Sequence, residues 1–80
     1  MNLRSIDRGR LLLELGPRSV KISCEPLSAA WWIYPIETWR WDDGASIDPS
    51  EMRSLVAALR AAAADAGIEL DLDDLPNELK

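Results

Sequence analysis

The sequence predicts an α+β fold: a mostly antiparallel sheet of about four strands with one long helix packed on one face, in the order β-β-β-α-β. Three observations predict it. Two apolar runs, Arg10–Leu15 and Ser19–Glu25, flank the turn signal Gly16-Pro17-Arg18. A third run, from Trp31 to Trp41, gathers all four tryptophans and the lone tyrosine, the composition of a strand. Asp48-Pro49-Ser50-Glu51 then opens a segment, 49–66, with a helical rhythm.

Taken in order, Leu11, Leu13 and Leu15 share one face of the first strand, with Leu12 and Glu14 opposite. Ile6 and its neighbours either begin that strand or form a short one before Gly9. In the second strand Val20, Ile22 and Cys24 alternate with Ser19, Lys21, Ser23 and Glu25, a half-buried pattern that Pro26 ends. Trp31 and Trp32 are neighbours, so a strand sends them to opposite faces and only one can enter a one-sided core. Pro35 cannot donate to a ladder and implies a bulge, or an amide side turned to solvent, in the third strand.

Asp48 is the expected N-cap, with Pro49 at the first helical position and Glu51 placed to complete a capping box. Ile47 and Met52 stand at staple positions around it. Met52, Leu55, Val56, Leu59, Ala63 and Ala66 make the buried stripe, and Gly67 the left-handed stop with Ile68 as its apolar contact. Ile68, Leu70 and Leu72 then alternate with Glu69, Asp71 and Asp73, a short strand with one acidic face. Leu75-Pro76 closes it, and 77–80 is expected to fray.

The chain, 1–80, has room for a single small domain. One cysteine excludes a disulfide framework and suggests a reducing compartment. The Leu11–Leu15 run is too short and too polar for a signal peptide, and no segment has the length of a membrane span. The expected location is the cytoplasm, with no membrane partner. The net charge of −5 is unevenly spread: residues 1–40 carry six basic and four acidic side chains, residues 41–80 three and ten. An acidic lobe disfavours direct nucleic-acid binding and favours a basic protein partner.

Catalytic chemistry finds little to stand on. There is no histidine, hence neither the commonest general base nor a principal zinc ligand, and Cys24 reads as a small core residue. Asp71-Leu72-Asp73-Asp74-Leu75-Pro76 lacks the third alternating ligand, the glycine and the distal glutamate of a calcium loop. No metal, no cofactor and no enzyme activity are expected. Contact chemistry finds more. Glu69, Asp71 and Asp73 would form a carboxylate ladder able to dock lysines and arginines, or simply a solvated face. Asp42 and Asp43 before Gly44 serve turn chemistry first and partner contact second. Without phenylalanine some tryptophans must be core, and Trp39 or Trp41 packs on the helix stripe. Trp32 and Tyr34 are left as core or as an aromatic interface.

In this order of features the chain resembles the small immunity proteins of bacterial polymorphic-toxin and contact-dependent inhibition systems, of the immunity protein 74 type. The resemblance runs through the hairpin Arg10–Glu25, the apolar strand Ile33–Trp41, the helix start Asp48-Pro49-Ser50-Glu51 and the acidic strand Ile68–Asp73. The doubled Trp31-Trp32 and the alanine run Ala61–Ala64 depart from it. The resemblance implies a protein without enzymatic activity that binds and blocks a cognate toxin domain, many of which are basic nucleases. The contact candidates are then Trp32, Tyr34, Glu69, Asp71 and Asp73, followed by Asp42 and Asp43. The rival expectation is a homo-oligomeric accessory module, a homodimer for instance, that self-associates through its uncovered sheet face.

Overall fold

The computed structural model describes residues 2–79, which form six strands and one α-helix. Strand β1 (Asn2–Asp7) pairs antiparallel with β2 (Arg10–Glu14), and β2 with β3 (Ser19–Pro26). The β2–β3 turn closes where expected: Leu15 N–H donates to the Arg18 carbonyl at 2.8 Å, and Gly16 takes a φ of 88° that a Cβ would penalise. The sheet is mostly antiparallel, with the helix laid against it. It holds more strands than the four expected, for two reasons.

First, of the two alternatives for Ile6 and its neighbours the separate strand is the one formed: Asn2–Asp7 folds back on β2, with a register irregularity between Ser5 and Asp7. Second, the run from Trp31 to Trp41 is divided. Its two pieces, β4 (Trp31–Ile33) and β5 (Arg40–Trp41), pair with opposite ends of β3 on the side away from β2. Pro35 lies between them, and Ile36–Thr38 makes a single 3-10 turn closed by Thr38 N–H on the Pro35 carbonyl at 2.9 Å. The missing amide thus interrupts the strand altogether instead of bulging it.

The Asp48 carboxylate accepts the Ser50 N–H and the Ser50 hydroxyl, each at 2.8 Å. The cap therefore works through Ser50, where a box through Glu51 was the expectation. Pro49–Glu51 forms a 3-10 turn and α1 continues over Met52–Ala66. At its end Gly67 is left-handed (φ 70°), with Ile68 N–H on the Ala63 carbonyl at 2.8 Å and Gly67 N–H on that of Ala64 at 3.3 Å. This pair of bonds is a Schellman closure. The buried stripe is Leu55, Val56, Leu59, Ala62 and Ala63, with Met52 half-buried; Ala66, expected on it, is exposed.

Strand β6 (Leu70–Asp71) then pairs parallel with β4, Trp31 opposite Leu70 and Trp32 opposite Asp71. The Asp71 carboxylate accepts the Asp73 N–H at 3.1 Å, a local turn that competes with further strand. The strand expected over Ile68–Asp73 is cut to two residues for that reason. Nor does the tail fray as expected: Asn77–Leu79 forms a 3-10 turn and Leu79 packs on the core, while Lys80 lies outside the described residues.

One core joins the inner sheet face to the helix. Leu3, Leu11, Leu13, Val20, Ile22, Cys24, Ile33 and Trp41 supply the sheet side. Trp39, from the interruption, is wholly buried and donates its indole N–H to the Tyr34 carbonyl at 3.0 Å. Trp41 is buried too, with the Arg18 guanidinium 3.8 Å from its ring centroid, a cation–π cover for that end of the core. Trp39 and Trp41 are thus core, as the absence of phenylalanine requires.

Candidate functional site

Helix and core occupy one face of the sheet. The outer face is built by the residues that alternate with the buried ones, and registers place them in rows across the strands. At one end of β3, Asn2, Glu14 and Ser19 are aligned, and Asp42 N–H reaches the Ser19 carbonyl at 2.9 Å. The next row is Arg4, Leu12, Lys21 and Arg40, three cations across four strands. Arg10 and Ser23 follow, with Tyr34 N–H donating to the Ser23 carbonyl at 3.0 Å. The last row is Glu25, Trp32 and Asp71. The face is polar and two-signed: a cationic middle, and an aromatic, acidic end.

At the aromatic end the rings of Trp32 and Tyr34 lie 5.9 Å apart, tilted at 48°, with both residues half-buried. This is the i, i+2 placement that strand alternation dictates, and the spacing of an edge-to-face pair. The Tyr34 hydroxyl donates to the Glu25 carboxylate at 3.2 Å. That hydrogen bond first, and then the negative charge of Glu25, raise the Tyr34 pKa above its ordinary value. The trp pair Trp31-Trp32 divides as its adjacency demands: Trp31 packs on the core, and Trp32 stands on the outer face.

A shallow groove of about 760 Å³ runs beside these rings, lined by Arg8, Arg10, Ser23, Glu25, Tyr34 and Thr38 among others. Its walls are already engaged. Arg10 pairs with Asp7 at 3.2 Å, and Ser23 Oγ donates to the Thr38 carbonyl at 3.3 Å. The cation row is less settled. Arg4 has Glu14 at 3.1 Å, and Arg40 turns its guanidinium onto the Glu37 and Trp39 carbonyls at 2.6 and 2.7 Å. Lys21 stands directly opposite Arg40, a like-charge cross-strand pair that costs stability unless an anion joins it.

Of the residues singled out by sequence, Trp32, Tyr34 and Asp71 come together. Asp73 does not continue their row, because β6 ends at Asp71 and Asp73 sits in the turn that Asp71 caps; Glu69 directly precedes β6, and its carbonyl accepts the Trp31 N–H at 2.9 Å. The three-carboxylate ladder therefore loses Asp73, and the carboxylate in register with Trp32 is that of Asp71. Asp42 and Asp43 lie at the other end of β3, about 20 Å away at ~3.3 Å per residue over six residues. The Asp43 carboxylate accepts the Ala45 N–H at 2.9 Å and holds the Gly44 turn, so turn chemistry accounts for it. Glu25, Lys21 and Arg40 were missed as site residues. Their outward alternation was visible, but their grouping depends on register between strands.

Cys24 is buried on the inner face, where desolvation first and the Asp7 charge second push its thiol up to about 11. It is a protonated core residue at neutral pH, without the thiolate that nucleophilic chemistry needs. No helix is long and apolar enough to cross a membrane. Comparison with protein families, with curated proteins and with solved structures finds nothing that matches this chain.

Proposed function

We propose that this chain is an immunity protein, which binds a cognate bacterial toxin domain in the cytoplasm and neutralises it by non-covalent steric blocking. The observation that carries the reading is the pair Trp32–Tyr34, displayed with Glu25 and Asp71 on a sheet face that the chain's own helix leaves uncovered. Aromatic rings anchor protein interfaces, and charges around them set approach and register. The acidic surplus of residues 41–80 and the Glu25–Asp71 pair suit a basic toxin, as many nuclease domains are. The chain itself would contribute no catalytic step and no cofactor.

The test is co-expression with the product of the adjacent upstream reading frame, scoring growth and co-purification together. A neighbour that kills alone, and is both neutralised by and co-eluted with this chain, meets the expectation. The W32A/Y34A double variant should then lose rescue while keeping its fold by circular dichroism. A harmless neighbour that never co-elutes would remove the toxin reading. A homo-oligomeric module is the second reading, and the two-signed outer face is the observation that favours it.

A further inference from the structure

The rows of the outer face have a geometric property that neither row has alone. Lys21, Ser23 and Glu25 are successive outward residues of β3, so Lys21 and Glu25 lie symmetrically about Ser23. They are separated by about 13 Å at ~3.3 Å per residue. One strand over, Arg40 is level with Lys21 and Trp32 is level with Glu25. A two-fold axis drawn across the strands above Ser23 therefore superposes opposites. It sets Lys21 over Glu25 of a second copy, and Arg40 over Trp32 of that copy, each contact occurring twice.

We propose that this face closes on a second copy of the chain as a face-to-face homodimer about that axis. Two sheets pack this way about 10 Å apart with strands nearly aligned, and an isologous interface requires a patch that complements itself. Within one chain Arg40 rests on the Glu37 and Trp39 carbonyls; across the axis the Lys21–Arg40 pair also meets the partner's carboxylate and indole face. Glu25 is held ready by the Tyr34 hydroxyl, whose ring sits beside the axis. Arg10 also lies near the axis and brings its own counter-ion, Asp7, 3.2 Å away. Arg4 has Glu14. The occupant is argued from charge arrangement: about this axis the cationic row of each copy meets the acidic and aromatic row of the other.

The proposal stands independently of the toxin reading. If both hold, toxin and second copy compete for one face, and the free protein is the dimer that the toxin opens.

Sedimentation velocity on the full chain over a concentration series tests it, with fold checked by circular dichroism. Wild type should dimerise by about 1 mM at most. K21E and E25K should each weaken dimerisation on the order of a hundredfold, since the axis makes each reversal act twice. The double swap K21E/E25K should restore it, because the pair is re-formed between copies with signs exchanged. Both exposed residues leave the core untouched, so monomeric single variants remain folded. A wild type that stays monomeric throughout overturns the proposal. So does a dimer indifferent to K21E, or a double swap that remains as weak as the singles.

Discussion

Trp39 links the core to the aromatic end of the outer face, and replacing it by phenylalanine tests that link. The residue is fully buried, and its indole N–H is the donor to the Tyr34 carbonyl at 3.0 Å. Phenylalanine keeps an aromatic ring but drops the N–H and the five-membered ring around it. Losing roughly 40 Å² of buried apolar surface costs about 1 kcal/mol. Leaving the Tyr34 carbonyl without its donor adds ~1–2 kcal/mol. W39F should therefore lose about 2–3 kcal/mol. An eighty-residue domain has ~4–12 kcal/mol in total at ~0.05–0.15 kcal/mol per residue, so the loss is a large fraction. Urea titration followed by far-ultraviolet circular dichroism reads it as a midpoint lower by about 2–3 M, at a slope near 1 kcal/mol per M. W31F is the control: Trp31 is only half-buried and its ring has no hydrogen bond among the described residues, so it should cost less than ~1 kcal/mol. A W39F protein within ~0.5 kcal/mol of wild type, or a W31F protein equally damaged, would refute the reasoning.

Three further expectations concern the helix and its neighbour. Gly67→Ala meets no atom within 4 Å, so its cost is the left-handed φ alone, about 1 kcal/mol or a melting point lower by roughly 4–8 °C; an unchanged melting point would contradict it. The Ser50 N–H and hydroxyl hold the Asp48 pKa below its ordinary value. A depressed folded pKa stabilises above the unfolded value and loses that contribution as pH falls through the folded one. The stability gap between wild type and D48A should thus be constant above the carboxylate range and close in acid. A gap that widens in acid would reverse the sign. Cys24, with its thiol near 11, should react with Ellman's reagent at neutral pH only as fast as the protein opens. Reaction at the rate of a free thiol in folded protein would show the site is not closed.

What could be read from sequence was whatever local chemistry decides. The Val20, Ile22, Cys24 alternation, the Gly16-Pro17 turn, the Asp48 cap and the Gly67 stop each depend on residues within a few positions, and each appears in the structure. The same locality placed Trp32 and Tyr34 on one face. Errors arose where two local preferences competed or where distant strands chose partners. Asp71 had a strand to continue or a turn to cap, and the turn won. Pro35 allowed a bulge or a break, and the length of β3, able to hold two short strands end to end, allowed the break. The rows joining Lys21 to Arg40, and Glu25 through Trp32 to Asp71, belong to register between segments far apart in sequence.

The parallel pairing of β4 with β6 also has a consequence for the order of events during synthesis. The hairpins of β1, β2 and β3 close with segments already made, and β4 can join them as soon as Ile33 has emerged. Its other side, with Trp31 and Trp32, has no strand to pair with until the whole of α1 has followed and β6 arrives. Through that interval the nascent chain carries an unpaired, tryptophan-bearing edge, the kind of template on which neighbouring chains stick. Covering that edge therefore waits on α1 forming and bringing β6 back beside β4, so the last strand to be made is the one that protects the tryptophan edge.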